Sequence, residues 1–143
     1  MHAQDLNVVI KLLQTKSPGP VWLVGTSNGS VSAASVAARL GPSKVVGIVL
    51  TSTVWKNGLP LGDIVVPTLV VHNRDDGCTS SPYSSALRSI ELLARAPAKK
   101  LVTVQGGQSQ GDPCGAKSPH GYFGIEDQVV LPIIQWIESH TGS

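Results

Sequence analysis

Four short segments that are almost entirely apolar, set between helical stretches, constrain the fold of this chain more than any other feature. They are residues 21–24, 45–50, 68–72 and 101–104. A strand that is apolar throughout, rather than alternating apolar and polar residues, is typical of a sheet buried on both faces. Such strands in alternation with helices predict parallel β-α-β units with right-handed crossovers.

The segments between these strands carry helical signals. Residues 5–16 place their apolar side chains on one face, at the spacing of a helix: Leu6, Val9, Ile10, Leu12 and Leu13. Further helices are predicted for residues 28–40, 84–96 and 125–139. We therefore expect an α/β fold with three layers, a mainly parallel sheet of about four strands with helices on both faces. The length of 143 residues suits a single domain spanning residues 1–143.

Charge and hydropathy argue against two classes of partner. The formal net charge is only +2 and the basic residues are scattered, which is unlike the basic patch of a nucleic-acid-binding protein. No apolar run approaches the roughly 18 residues that a membrane-spanning helix needs. We therefore expect neither nucleic acid nor a membrane as partner.

The pentapeptide Gly25-Thr26-Ser27-Asn28-Gly29 lies between the first predicted strand and the helix after it. A serine on such a strand-to-helix turn exposes its hydroxyl as a nucleophile, and the glycines are expected to leave room for the close approach of strand and helix. The backbone N–H of Asn28, at the helix N-terminus, would then donate to a developing oxyanion. The alternative is a tight turn in which Ser27 only caps the helix.

An acid and a base are available in the later loops. Asp75 and Asp76 follow the third predicted strand, and His120 follows the fourth. A carboxylate can orient a histidine, and an imidazole can take a serine proton near neutral pH. Taken singly, the aspartates also fit a polar turn and the histidine a solvated loop. Serine, acid and histidine in this chain order, each after a different strand, match what a serine hydrolase triad requires.

Together these motifs resemble the C-terminal part of an α/β-hydrolase of the small esterase or dienelactone-hydrolase-like kind. The resemblance rests on the pentapeptide around Ser27 as nucleophile elbow, residues 67–72 as the strand before the acid, and residues 120–123 as the base loop. It implies a triad of Ser27, Asp76 and His120, with Asp75 as the second choice of acid. The chain departs from the pattern at Asn73, where the family often has glycine, and in using serine where dienelactone hydrolases proper use cysteine.

The resemblance also implies that strands normally preceding the first helix are missing. Those strands carry a second oxyanion N–H, and losing one such donor costs roughly 3 kcal/mol in the transition state. We therefore expect a longer protein, a completing partner chain, or impaired activity. The strand at residues 21–24 becomes an edge without charge or proline, and such edges tend to pair with another chain. A homodimer, an N-terminal fragment or a rearranged N-terminal segment would occupy it.

The two cysteines fit the same map. Cys78 lies two residues after Asp76, and Cys114 lies six residues before His120, so both are expected at the same end of the sheet. We predict a disulfide between them, with free thiols as one alternative. A metal site is the other, although tight ligand spacing is lacking; its ligands would be His72, Asp75, Cys78, Cys114 and His120. A bridge would favour an exported or periplasmic setting, and the compartment is otherwise open.

The expected function is hydrolysis of small carboxylic esters through an acyl-enzyme on Ser27, with no cofactor and no metal. Thioesters and amides stay open as substrates. Tyr122 and Phe123 are predicted to line the substrate pocket, with core packing as an equal alternative. The connection at residues 54–66 is too short for a separate lid domain. The rival interpretation is a non-catalytic or impaired fragment that acts as a binding or structural module.

Overall fold

The structure, a computed structural model, describes residues 3–141, without the side chain of Ala3. All the predicted helices and strands are present, with ends that differ by a few residues. In chain order they are α1 (Ala3–Lys16), β1 (Trp22–Thr26), α2 (Asn28–Leu40), β2 (Gly47–Thr51), β3 (Thr68–Asn73), α3 (Tyr83–Leu92), β4 (Lys99–Val104) and α4 (Glu126–His140). The largest difference is in α3, which ends at Leu92 because the chain turns at Ala94 and Arg95 to reach β4.

The strands form one four-stranded sheet in the order β1-β2-β3-β4. Every neighbouring pair is parallel, as predicted. Their C-terminal ends therefore lie along one side of the sheet, where the loops after Thr26, Thr51, Asn73 and Val104 meet. This arrangement gathers the predicted site residues at one end of the fold.

Helices cover both faces of the sheet, so the core has two parts. Ile48 and Leu50 of β2 pack with residues of α1, α2 and α3, while Val49 between them packs toward α4. This alternation follows from the pleat of a strand, which turns successive side chains to opposite faces. No helix within residues 3–141 is long and apolar enough to cross a membrane.

The expectation that the strands are buried on both faces is correct for the two central strands and wrong at the edges. All residues of β2 and β3 are buried. Val24 of β1, in contrast, is 55 % exposed, because no described strand pairs with the outer side of β1. The predicted apolar face of α1 is likewise only partly covered. Ile10 is buried, whereas Val9, Leu12 and Leu13 are exposed.

Candidate active site

Ser27 sits in the sharp turn from β1 to α2. Its backbone has φ 53° and ψ −122°, a conformation that is strained for any residue but glycine. Hydrogen bonds hold it there: its N–H donates to the Thr51 carbonyl at 3.0 Å, and its carbonyl accepts from the Ser30 N–H at 2.9 Å and the Ser30 hydroxyl at 2.6 Å. The Ser27 side chain makes no capping hydrogen bond, so the capping alternative is not the one adopted.

The two glycines that flank Ser27 differ in what their surroundings allow. A Cβ on Gly25 would collide with the carbonyl group of Gly29, whereas a Cβ on Gly29 would meet no atom within 4 Å beyond its adjacent residues and its own helix backbone. The expectation that a side chain would clash is therefore correct for Gly25 and wrong for Gly29. Gly29 has space because it lines an open groove beside the unpaired edge of β1.

Asp76 and His120 form a buried pair. The His120 Nδ1 atom lies 2.8 Å from Asp76 Oδ2, and their side chains are 4 % and 0 % exposed. The second carboxylate oxygen, Oδ1, accepts the Cys78 N–H at 2.9 Å, and the Ser81 hydroxyl donates to Oδ2 at 3.2 Å. With Nδ1 turned to the carboxylate, Nε2 is the ring nitrogen left to exchange a proton with a substrate or nucleophile.

Hydrogen bonds keep the Asp76 carboxyl ionised despite its burial. Burial alone raises its pKa, but hydrogen bonds from His72, the Cys78 N–H and His120 outweigh that effect and lower the pKa below the ordinary 3.8. Donors that favour the charged form lower a carboxyl pKa in this way. Asp76 can therefore stabilise a positive charge that develops on His120.

Among the described residues, the buried Nε2 atom of His120 has no hydrogen-bond partner. The predicted contact from His120 to Ser27 is therefore not closed as a hydrogen bond. The two residues flank the end of β2: Ser27 bonds Thr51 at 3.0 Å, and the next residue, Ser52, donates its hydroxyl to the His120 carbonyl at 2.6 Å. A buried nitrogen without a partner calls for an explanation, and a reacting group is one.

The other acidic candidate points elsewhere. Asp75 is exposed, and its Oδ2 accepts the Gly106 N–H at 2.9 Å. Its own N–H donates to the side-chain oxygen of Asn73 at 2.9 Å. Of the two aspartates, the one that bonds His120 is thus Asp76, and Asp75 closes a polar turn.

The predicted disulfide is present. Cys78 and Cys114 are bridged, with their Cα atoms 4.6 Å apart and a sequence separation of 36. The bridge joins the segment just after Asp76 to the segment before His120. Since both sulfur atoms are bonded to each other, the alternatives of free thiols and of a metal site with these thiolates do not apply.

Tyr122 packs in the core rather than lining a pocket. Its hydroxyl donates to the Val71 carbonyl at 2.9 Å and accepts the Ser52 N–H at 2.8 Å. The residue is 6 % exposed, and burial raises the pKa of the phenol to about 12. The core-packing alternative is therefore the one adopted. Phe123 is half-buried, and its contact with substrate stays a prediction.

The loop after β2 contributes residues that the sequence did not single out. Ser52, at φ 44°, is strained like Ser27, and its hydroxyl bond anchors His120. Thr53 bonds His72, which in turn lies beside Asp76. The one available signal was a run of three hydroxyl residues, Thr51 to Thr53, directly after an apolar strand.

Several clefts open on the surface of the described structure. One of about 370 Å³ opens between the loop after β2 and the start of α3. Its walls include Trp55 and Pro82, and Pro82 directly follows the Ser81 that bonds Asp76. Neither Ser27 nor His120 is among its lining residues.

Among the solved structures with the same arrangement of strands and helices are three hydrolases of stated type. They are the esterase domain of a Rhodothermus marinus protein (TM-score 0.71, 16 % identity), a monoacylglycerol lipase of Paleococcus ferrophilus (0.69, 15 %) and an α/β serine hydrolase without lid from Xanthomonas campestris (0.67, 17 %). At these sequence identities the likeness establishes the fold alone. Any catalytic chemistry has to be argued from the residues of this chain.

The likeness covers nearly all of this chain and only part of the others. It extends over 99 %, 96 % and 99 % of this chain, and over 70 %, 74 % and 57 % of those three. This chain covers 58 % of the length of a further match, a protein of Agrobacterium tumefaciens. Neither a protein-family model nor a curated protein sequence matches this chain.

Proposed function

We propose that this chain, which has the α/β-hydrolase fold, is a serine hydrolase that cleaves small carboxylic esters through an acyl-enzyme on Ser27. The observation that carries the proposal is the buried Asp76–His120 pair, 2.8 Å apart, whose free ring nitrogen has no partner among the described residues. A serine at φ 53° sits at the same end of the sheet. A strained serine at the same end of the sheet as an oriented histidine is what a serine nucleophile and its base require.

In the proposed mechanism, His120 Nε2 removes the Ser27 proton as the hydroxyl oxygen attacks the ester carbonyl. The tetrahedral intermediate collapses, and the alcohol leaves with the proton from His120. Water then attacks the acyl-enzyme with His120 again as base, which regenerates Ser27 and releases the acid. Asp76 holds the tautomer with the proton on Nδ1 and stabilises the imidazolium.

The oxyanion donor in this proposal is the backbone N–H of Asn28. As the first residue of α2, Asn28 has an N–H group without an acceptor inside the helix. The partial positive charge of the helix N-terminus adds to its effect. Serine hydrolases generally use two such donors, and the loss of one costs about 10²–10³-fold in kcat.

A fluorophosphonate probe tests the proposal directly, since it forms a covalent adduct only with an activated serine. We expect an adduct on Ser27 by mass spectrometry of digested protein, and hydrolysis of p-nitrophenyl acetate above background. Ser27→Ala should lose both while keeping its fold by circular dichroism. Ser84→Ala, at an exposed serine of α3, is the matched control. A folded protein that takes up no probe would favour the non-catalytic module instead.

The bridge between Cys78 and Cys114 supports an exported or periplasmic setting, because structural disulfides are rare in the cytosol. Alkylation of free thiols at the moment of lysis, followed by mass spectrometry, tests this part of the proposal. Protein that carries the bridge in its native host agrees with export. Two alkylated thiols would instead place it in a reducing compartment.

A further inference from the structure

His72 is a second buried histidine beside the acid of the candidate site. It lies near the end of β3, and its side chain is 0 % exposed. Its Nε2 atom is 3.5 Å from Asp76 Oδ2, the same oxygen that accepts from His120. Two imidazoles therefore face one carboxylate oxygen, and only His120 has a part in the mechanism above.

The hydrogen bonds of His72 define which of its nitrogens carries the proton. The Thr53 backbone N–H points at Nδ1 from 3.2 Å. A backbone N–H can only donate, so Nδ1 accepts and the proton is on Nε2. On the other side, Nε2 is 3.0 Å from the Ser81 carbonyl, which can only accept. Both neighbours thus require the same tautomer, and the Nε2 proton faces the Ser81 carbonyl and Asp76 Oδ2 together.

This tautomer is what the acid needs from its surroundings. Asp76 Oδ1 is held by the Cys78 N–H at 2.9 Å, and Ser81 supplies a hydroxyl to Oδ2 at 3.2 Å. The His72 proton lies on the Oδ2 side. The carboxylate therefore has donors on both oxygens even without counting His120. An apolar ring in its place would fill the space, but would leave the Thr53 N–H unpaired in the core and remove a donor from a buried charge, both of which are costly.

We propose that His72 is a positioning residue for the acid, which keeps the Asp76 carboxylate oriented with Oδ2 toward His120 Nδ1. The proposal rests on the proposed function for its effect on turnover, but its effect on Asp76 is measurable without activity. The hydrogen bond from His72 also acts to lower the Asp76 pKa, in the direction that this role requires.

Two substitutions separate this role from a packing role. Asparagine places its amide where Nδ1 lies, so His72→Asn keeps an acceptor for Thr53 and loses the donor to Asp76. Glutamine places its amide where Nε2 lies, so His72→Gln keeps the donor and loses the acceptor. Each variant is thus the control of the other, and circular dichroism and thermal unfolding show whether both fold.

The expected result is an asymmetry between the two variants. In His72→Asn we expect a raised Asp76 pKa, measured by NMR of ¹³C-labelled carboxyl groups, and a kcat about 10- to 100-fold lower at similar KM, as for a displaced catalytic group. In His72→Gln both should stay near the wild-type values. The reverse asymmetry, equal losses in both variants, or no change in either would overturn the proposal.

The wild-type protein offers a test that needs no variant to fold. Long-range ¹H–¹⁵N NMR spectra of the histidine rings distinguish the two tautomers. We expect the proton of His72 on Nε2 and that of His120 on Nδ1. A proton on Nδ1 of His72 would overturn the proposal. An inactive protein with the expected tautomers and the expected pKa asymmetry would refute the proposed function and leave the role of His72 standing.

Discussion

The candidate site has two halves that are built very differently. Asp76 and His120 lie among the loops after β3 and β4, with both side chains buried, a bond between them and a disulfide that joins their loops. Ser27 follows β1, the strand at the sheet's edge, where Val24 is 55 % exposed and the neighbouring Gly29 faces open space. The Ser27 N–H donates to Thr51 on the β2 side, its one hydrogen bond within the described part of the chain.

This difference indicates which distance in the site is free to vary. The Asp76–His120 bond is supported from several directions, so it is closed at 2.8 Å. The Ser27 turn is held by Thr51 of β2 and by Ser30 of α2, but no described strand pairs with the outer side of β1. The His120 Nε2 atom has no partner among residues 3–141. Substitutions in the acid–base half should therefore change the proton transfer through Asp76 and His120, whose geometry is fixed. Substitutions in the serine half should change the position of the Ser27 nucleophile.

The largest effect is expected in the acid–base half. Asp76→Asn should lower the kcat for ester hydrolysis about 10⁴-fold, because an amide favours the wrong histidine tautomer. Asp75→Asn should leave kcat within a few-fold of wild type, since Asp75 bonds Gly106 rather than His120. Steady-state kinetics of both variants, with folding checked by circular dichroism, decides between them. An inverted result would move the acid to Asp75.

The disulfide should stabilise the same half. For the 36-residue separation of Cys78 and Cys114, the chain-entropy relation gives about 4 kcal/mol of stabilisation. The double variant Cys78→Ser/Cys114→Ser should lose about that much free energy of unfolding in urea. Its kcat should also fall, because the bridge holds the loops that carry the acid and the base. The KM and the labelling of Ser27 per folded molecule should change less than kcat. Unchanged stability would mean that the loops are held by their hydrogen bonds alone.

The two glycines test the serine half with a matched pair. Gly25→Ala should cost about 1–3 kcal/mol of stability, as overpacking does, because its Cβ meets the Gly29 carbonyl. Gly29→Ala should be neutral or stabilising by up to about 1 kcal/mol, since alanine is the better helix former. Urea unfolding of both variants measures the difference. Equal losses would show that the groove beside Gly29 is filled in solution.

The sequence predicts the fold well because its signals are local. Apolar strands, the Gly41-Pro42 end of α2 and the helix spacing all act within a few residues, and α2 spans Asn28–Leu40 as predicted. The order of Ser27, Asp76 and His120, each after its own strand, also follows from local pattern. The cysteine pairing follows because parallel strands bring their loops to one end.

The errors concern partners that are distant in sequence. The Tyr122 hydroxyl bonds Val71, 51 residues away, and Ser52, 70 residues away, and no local pattern distinguishes that from a pocket residue. The exposure of Val24 and the free space at Gly29 depend on what lies beside β1. Such features are set by neighbours in space, which a reading along the chain does not supply.

The pH dependence of the free energy of unfolding should report the ionisation of Asp76 in the acid–base half. Because the Asp76 pKa is lowered below 3.8 in the folded protein, its ionisation stabilises the fold above that pH. This contribution is lost as the pH falls through the lowered pKa, where the unfolded chain binds the proton more readily. The free energy of unfolding should therefore drop more steeply below about pH 3.8 in wild type than in Asp76→Asn. Parallel slopes would mean that folding leaves the Asp76 pKa unchanged.

The smallest effect on stability, and the clearest contrast between the two halves, is expected at the sheet's two edges. The strand β4 begins with Lys99 and Lys100, both exposed, and edge lysines oppose pairing with another chain. The β1 edge has no charge, and beside it α1 exposes Val9 and Leu12.

We propose that the β1 edge pairs with a second copy of this chain in solution, so wild type should be larger than one chain by light scattering. Val24→Lys should return it to a monomer while changing the free energy of unfolding of that monomer by about 0.5 kcal/mol or less, as exposed substitutions do. Thr103→Lys, at an exposed position of β4, is the matched control and should leave the mass unchanged. A wild-type monomer whose β1 amides exchange rapidly with solvent would contradict the proposal, and would mean that four strands suffice for this core without a partner at β1.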